Sequence, residues 1–215
     1  MIEAICWDVG GVFSGRPVDA MASIGAEYDL DPDDLFAAVF GPYHLDGDHH
    51  WHRLERGEIA LKEAWSEVAA AVAAFGIELS LMELFRRFGE DPHDRSVVIE
   101  TVRDLHAKGI AMGVVTNNIK EFSEGEDGGG WRKIVPMDLM SVVIDSSAVG
   151  MRKPDHAIYH HTLAELGVDA TNAVFIDDMA SNVNAAIEVG MHGIVVGGDP
   201  APAMAELRAL VDQLS

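Results

Sequence analysis

Residues 173–196 read AVFIDDMASNVNAAIEVGMHGIVV. Ala173 to Asp177 is a near-continuous apolar run closed by an acid, about the length of a strand buried on both faces. Ala180 to Val189 is a helical segment, and Gly193 to Val196 is a second short apolar run. Strand, helix and strand at this spacing form one unit of a parallel sheet covered by helices. The same texture continues upstream. Asp94 to Lys108 carries Val98, Val102 and Leu105 on one helical face and stops at Gly109. A strand at Ile110–Thr116, a strand at Val142–Asp145 and a helix at Asp155–Leu166 follow. Ala201–Leu214 reads as a closing helix. At the other end, Ile2–Asp8 is a further strand that runs into the turn Gly10-Gly11.

Between Arg16 and Pro92 the pattern is helical only. Asp31-Pro32 is an N-cap followed by a first-turn proline, with Asp34 in the first turn. Glu58 to Phe75 is an alanine-rich helical run closed by Gly76. Ser80 with Glu83 reads as a capping box ahead of Leu84 and Phe85. These segments predict an α/β fold: a Rossmann-like, doubly wound parallel sheet formed by residues 1–14 and 94–215, with an all-helical cap, residues 15–93, inserted after the first strand. The stretch 123–130, SEGEDGGG, is acidic and glycine-rich and is expected to be a mobile loop. No internal repeat is present.

A chain of 215 residues suits one core with a smaller insert. Its hydrophobic fraction of 48% and charged fraction of 24% are ordinary for a folded soluble protein. No apolar run approaches the roughly 20 residues of a bilayer-spanning helix. The opening residues have an early Glu3 and no basic stretch, unlike a secretory signal. The single cysteine, Cys6, excludes an internal disulfide, suits a reducing cytoplasm and reads as a small buried strand residue. The net charge of −21 repels nucleic acid and anionic membranes, so neither is an expected partner. It also repels a phosphorylated small molecule at long range. A site for such a substrate must therefore gather positive charge locally, from a metal ion or a placed lysine.

Ligands of doubly wound sheets bind outside the carboxyl ends of the strands. Four strands deliver polar residues there: Asp8, then Thr116-Asn117-Asn118, then Lys153 in a loop, then Asp177-Asp178. Each alone has an ordinary reading, as a turn residue, a loop that bonds its own backbone, a solvated lysine or a helix cap. As a group, three carboxylates beside a lysine, a hydroxyl and an amide need a cation, and Mg²⁺ prefers oxygen ligands of this kind. Gly10-Gly11 reads as a tight turn that lets backbone amides approach an anion.

The segments CWDVGGVF (6–13), GVVTNN (113–118), GMRKPD (150–155) and VFIDDMASN (174–182), in this order, resemble the four motifs of the haloacid dehalogenase superfamily. LERGEIALKEAW (54–65) is similar to the cap of bacterial sugar-1-phosphate phosphatases and of the phosphatase domain of soluble epoxide hydrolases. The resemblance implies a Mg²⁺-dependent phosphatase acting on a small phosphomonoester, such as a sugar phosphate. Asp8 would be the nucleophile, forming an aspartyl-phosphate. Asp8, the Gly10 carbonyl and Asp178 would hold the metal, with Asp177 orienting metal water or Lys153. Thr116, Asn117, Gly10 and Gly11 would bind phosphate, and Lys153 would neutralise charge on the nucleophile and the transferring group.

One position departs from the family pattern. Phosphatases of this superfamily carry a second aspartate two residues after the nucleophile, as acid and then base, and here that residue is Gly10. Either the leaving group needs little protonation, as for an anomeric phosphate, or a cap residue supplies the proton, or the reaction is not phosphate hydrolysis. His44, His49, His50 and His52 are the cap residues expected as acid or base, histidine being the usual one near neutral pH. Two alternatives stay open at this point. One is a 2-haloacid dehalogenase in which Asp8 attacks carbon without metal; the other is a degenerate module that binds a phosphorylated ligand.

Overall fold

The computed structural model describes residues 1–123 and 130–214. Positions 124–129, within the stretch expected as a loop, lie outside the described residues. The fold is α/β. Five parallel strands, β1 (Ala4–Trp7), β2 (Ala111–Thr116), β3 (Val142–Asp145), β4 (Ala173–Asp177) and β5 (His192–Val195), lie in the order β3-β2-β1-β4-β5. The chain winds from β1 outward to β3, then returns to the other side of β1 with β4 and β5. The crevice between the carboxyl ends of β1 and β4 is therefore the topological switch point, where such sheets bind ligands.

Alternation along each strand divides the core into two layers. Ile5 and Trp7 of β1, Met112 and Val114 of β2, and Val174 and Ile176 of β4 pack under α6 (Ser96–Ala107) and α11 (Ala201–Leu214). Ala4, Cys6, Val115 and Phe175 face the other way, against α9 (His156–Leu166) and α10 (Ala180–Val189). Both faces are covered, which explains why these strands read as unbroken apolar runs.

Five helices fill the interval between β1 and α6: α1 (Pro17–Tyr28), α2 (Pro32–Phe40), α3 (His50–Glu55), α4 (Leu61–Ala73) and α5 (Leu81–Phe88). They close on their own apolar cluster, including Met21, Leu35, Val39, Leu54, Val68 and Leu84, which Ile119 joins from the loop after β2. The Asp31 side chain accepts hydrogen bonds from the amides of Asp33 and Asp34, as its place before Pro32 predicts. Of the expected capping box, half forms. Ser80 Oγ accepts from the Glu83 amide at 3.1 Å, while the Glu83 carboxylate turns to Arg86 and Arg87, because two guanidiniums compete for it. The alanine-rich run starts later than its composition suggests, at Leu61, because Gly57 adopts a left-handed turn with φ 68° that separates α3 from α4. The chain also makes two single-turn helices, α7 (Lys120–Ser123) and α8 (Ser146–Val149), each just past a strand end. No described helix is long and apolar enough to cross a membrane.

Cys6 is fully buried, and burial pushes its thiol up to about 12. It should stay unreactive toward a disulfide reagent such as Ellman's at pH 8 and react at once in denaturant, because the thiolate is the attacking form. Rapid labelling of the native protein at a rate set by reagent concentration would show that the sheet opens locally at β1.

Candidate active site

The strand register builds the site. Trp7 pairs with Ile176 on one side and with Val114 on the other, so the residues that follow, Asp8, Asp177 and Val115, stand at one height. The Asp8 amide donates to the Ile176 carbonyl at 2.8 Å, which fixes the carboxylate at the mouth of the switch point. Lys153 arrives from the loop after α8, where the left-handed Gly150 (φ 71°) turns the chain back over the sheet. Its ammonium is buried and uses all three protons, on Asp8 Oδ1 at 2.7 Å, Asp177 Oδ2 at 2.7 Å and the Val115 carbonyl at 2.9 Å.

Asp177 is fully engaged. Its Oδ1 accepts from the Met179 amide at 2.8 Å, and Oδ2 accepts from Lys153 and from Asn182 Nδ2 at 3.0 Å. Asp178 is not. Its Oδ2 is buried with no hydrogen-bond donor among the described residues, and the Arg16 Nε stands 3.6 Å away. Oxygen atoms of Asp8, Asp177 and Asp178 lie within 4.8 Å of one another. Three carboxylates against one lysine leave a buried excess of negative charge, which desolvation makes costly. Burial, then the charge of Asp177, pushes Asp8 up to about 7, against the opposing pull of Lys153. Burial and the Asp177 and Asp8 charges also hold Asp178 well above the carboxylate range. Burial alone would lower Lys153, but the charges of Asp177 and Asp8 outweigh it and its pKa is raised. A cation would offset that charge, and an oxygen-only donor set of this kind suits Mg²⁺.

Gly10 and Gly11, which follow Asp8 and Val9, have different reasons to be glycine. At Gly11 (φ 71°) a Cβ would lie 2.2 Å from Asp178 Cγ, so the turn can pass Asp178 only without a side chain. The Gly11 amide donates to the Gly15 carbonyl at 3.2 Å, and its carbonyl accepts from Arg95 at 3.1 Å. Gly11 therefore does not line the cavity over Asp8, and the expectation that it binds phosphate does not follow from its position. Gly10 does line it, and a Cβ there would meet nothing within 4 Å.

That cavity, about 240 Å³, is bounded at its floor by Asp8, Gly10, Thr116, Asn117, Lys153 and Asp178. The Asn117 side chain is engaged in positioning. Its Oδ1 accepts from the Lys153 amide at 2.8 Å, and its Nδ2 donates to the Lys153 carbonyl and to the Tyr43 hydroxyl. None of His44, His49, His50 and His52 lines this cavity. His44 borders a separate polar groove with Asp46 and Asp155. His49 caps α3, accepting from the Trp51 amide, and burial followed by the nearby His50 lowers its pKa. His50 faces Glu67 at 3.9 Å. His52 is buried and pushed down to about 3, by burial and then by the charges of Arg152 and His49. The helix that carries His50 and His52 turns its other side, with Trp51 and Glu55, toward the cavity.

Residues not singled out in the sequence complete the arrangement. Glu55 is buried and accepts from Tyr43 (3.0 Å), Trp51 (2.9 Å) and Arg152 (2.8 Å). Arg152 is itself fully buried, stacks on the Tyr43 ring and donates to the Leu45 carbonyl. Ser146 Oγ donates to the Glu55 carbonyl. Glu55, Arg152 and Asn182 all fall inside segments whose resemblance to family motifs is evident. Only Asn182 carried a local signal, its place one helical turn beyond Asp177-Asp178.

The model of the haloacid dehalogenase-like hydrolases matches residues 67–196, which include the ends of β2, β3 and β4 and Lys153. The chain belongs to this family. It is 30% identical over 212 residues to the sesquiterpene phosphatase of Aspergillus oryzae, covering 97% of this chain and 96% of that protein. It is 26% identical over 215 residues to acyl-CoA dehydrogenase family member 10 of Mus musculus, where it spans 97% of this chain and 19% of the mouse protein. Among solved structures, a member of the same family from Bacteroides thetaiotaomicron, in complex with magnesium and inorganic phosphate, has a TM-score of 0.59 at 18% identity, covering 92% of this chain and 96% of that one. The last likeness is one of fold. The family makes this chain a haloacid dehalogenase-like hydrolase; its Aspergillus relative is a phosphatase, and the Bacteroides structure holds magnesium beside phosphate.

The crowded acids predict a pH dependence of stability in the metal-free protein. An acid with a folded-state pKa above its unfolded value binds its proton more tightly when native. Stability then falls as pH rises from the ordinary carboxylate range through about 7. In EDTA the melting temperature should decline from pH 5 to pH 8, and Asp178→Asn should reduce that decline. An unchanged slope in the variant would mean that Asp178 meets a compensating charge in solution.

Proposed function

We propose that this chain hydrolyses a phosphomonoester in two steps through Asp8, with Mg²⁺ as cofactor. The observation that carries this reading is Asp8 held 2.7 Å from the buried Lys153 ammonium, beside an Asp178 oxygen that has no donor. Asp8, Asp178 and the Gly10 carbonyl would hold the ion. Bound there, it supplies positive charge to the phosphate oxygens, which lets a carboxylate approach an anion. Lys153 keeps Asp8 ionised and oriented. The Thr116 hydroxyl and the Asn117 backbone amide would bind phosphate oxygens, with the Asn117 side chain clamping the Lys153 backbone.

In the first step an Asp8 oxygen bonds to phosphorus and the bond from phosphorus to the ester oxygen breaks. The departing oxygen takes its proton from water, since Gly10 has none to offer. In the second step water attacks the aspartyl-phosphate at phosphorus, releasing inorganic phosphate and the Asp8 carboxylate. Residues 15–93 act as a cap on the core of residues 1–14 and 94–215, excluding bulk water from the ester. The separate apolar cluster of the five helices supports this division. A metal-free dehalogenase reading sets three carboxylates, offset only by Lys153 and Arg16, next to an anionic haloacid. A binding module has no need of a carboxylate held against a lysine at the switch point. An anomeric sugar phosphate suits the absent acid, although its hydroxyls find few open partners. Tyr43 and Glu55 are already bonded to each other, and among the described lining residues the Trp131 indole Nε1 is the buried donor without a partner.

The deciding experiment is phosphate release from p-nitrophenyl phosphate with Mg²⁺ and with EDTA, for wild type and Asp8→Asn. Chelation should silence the enzyme reversibly, and the variant should lose at least three orders of magnitude with its fold intact. A variant with a tenth of wild-type activity has lost only about 1.4 kcal/mol of barrier stabilisation, too little for a missing nucleophile. Such a result would end the covalent mechanism.

Gly10 has its own kinetic consequence. A general acid–base contributes about 10²–10⁴-fold. Aryl phosphates should be cleaved far faster than alkyl phosphates, and p-nitrophenol should appear in a burst near one equivalent before a slower steady rate. Gly10→Asp has room for its side chain and should raise alkyl phosphate hydrolysis and abolish the burst. A flat dependence on leaving-group pKa in the wild type would mean that another residue already acts as acid.

A further inference from the structure

Above its polar floor the cavity is walled by phenylalanine. Ring centroids follow one another from Phe36 to Phe40 at 4.6 Å, Phe40 to Phe88 at 6.0 Å, Phe88 to Phe85 at 5.6 Å and Phe85 to Phe122 at 4.7 Å. All five line the cavity with Asp8. They come from α2, from α5 and from the short α7 after β2, so this strip is assembled from three separate parts of the chain. Phe40 is buried, whereas Phe36, Phe85, Phe88 and Phe122 are only half-buried. Large rings left partly open beside a reacting carboxylate hold apolar area that a ligand can cover.

Resting on the phosphatase reading above, we propose that the substrate is the phosphomonoester of a hydrophobic alcohol or phenol, with its hydrocarbon group lying along this phenylalanine wall. The phosphate end meets Lys153, Thr116 and the acid cluster, and the hydrocarbon leaves the floor toward Phe36 and Phe85. The polarity of the cavity sets the orientation, since the reversed pose would bury phosphate against the rings. A volume of about 240 Å³ has room for about eight waters by their share of the liquid. The phosphate takes its share of that space, so fewer carbons than this fit beside it, which sets where the benefit of a longer chain should stop. Charge supports the assignment as well. In a protein of net charge −21, long-range attraction cannot recruit an anionic ester, and apolar contact is a source of affinity that this field does not oppose.

The n-alkyl phosphates from ethyl to octyl separate this from leaving-group effects, because their alcohols have nearly the same acidity. With Mg²⁺, kcat/KM should rise by up to about fourfold per methylene, the equivalent of about 0.8 kcal/mol for each one buried, and level off before octyl. Octyl phosphate should exceed ethyl phosphate by at least about a hundredfold, and Phe85→Ser should shrink that ratio. Binding of geranyl and 1-naphthyl phosphates to Asp8→Asn, set beside octyl phosphate, identifies which kind of hydrocarbon the wall prefers. Binding to Asp8→Asn by calorimetry gives a readout independent of turnover and of the Phe85 variant's folding. Octyl phosphate should bind more tightly than ethyl phosphate or glucose 1-phosphate, with a more negative heat-capacity change. Release of p-nitrophenol with a flat alkyl series, or preferential binding of glucose 1-phosphate, would overturn this inference and leave the phosphatase reading standing. Chain-length-dependent binding without release of phosphate from any ester would overturn the phosphatase reading and support the apolar wall.

Discussion

The Lys153 ammonium, buried at 2.7 Å from both Asp8 and Asp177, is the contact on which the site depends. It joins two strands and a loop that are far apart in sequence. A lysine without partners could not be buried there, and two adjacent carboxylates without the lysine could not share one strand level. The triad is also directional. Asp177 is saturated by Lys153, Asn182 and the Met179 amide, which leaves Asp8 as the acid with capacity to react and Asp178 as the acid with capacity to bind. Three aspartates of the same type thus come to have three different environments.

A second buried charge pair relates the helical insert to that triad. Glu55 gathers Tyr43 and Trp51 from the insert and Arg152 from the residue before Lys153. Tyr43 also accepts from Asn117, whose side chain clamps the Lys153 backbone. An unbroken path of hydrogen bonds therefore runs from the helices to the Lys153 backbone. Breaking a buried pair of this kind leaves an uncompensated charge and costs about 3–5 kcal/mol. The insert and Lys153 are consequently held as one arrangement.

The site also resolves the tension between a strongly acidic protein and an anionic substrate. Positive charge is concentrated at one buried lysine and at a cluster of oxygens suited to a divalent cation, while the rest of the cavity is apolar. The acid that family phosphatases place two residues after the nucleophile is absent, and the space for it is empty of neighbouring atoms. Steric demand does not account for glycine at that position, in contrast to Gly11, where the approach of Asp178 requires it.

Most of the sheet was legible in the sequence, because strands buried on both faces appear as apolar runs and their carboxyl ends as abrupt polar residues. β3, β4, α10 and α11 have the limits their sequence predicts, and Asp31-Pro32 marks the start of α2. Asp8, Thr116, Lys153 and Asp177-Asp178 could be grouped in advance because a parallel sheet delivers all its carboxyl ends to one edge. What local pattern could not contain was the direction of side chains on elements that cross. The four histidines cluster in sequence, yet α3 turns Trp51 and Glu55 to the cavity and His52 into a buried, neutral position. Gly10 and Gly11 look equivalent until Asp178 is seen to occupy the space beside only one of them. The phenylalanine wall draws on residues from 36 to 122, and no window of sequence holds them together. Periodicity and caps, read within a single element, determined the elements and the edge where chemistry occurs. The packing of one element against another decided which residues meet there, since facing depends on register, crossing and close approach, which exist only in the assembled fold.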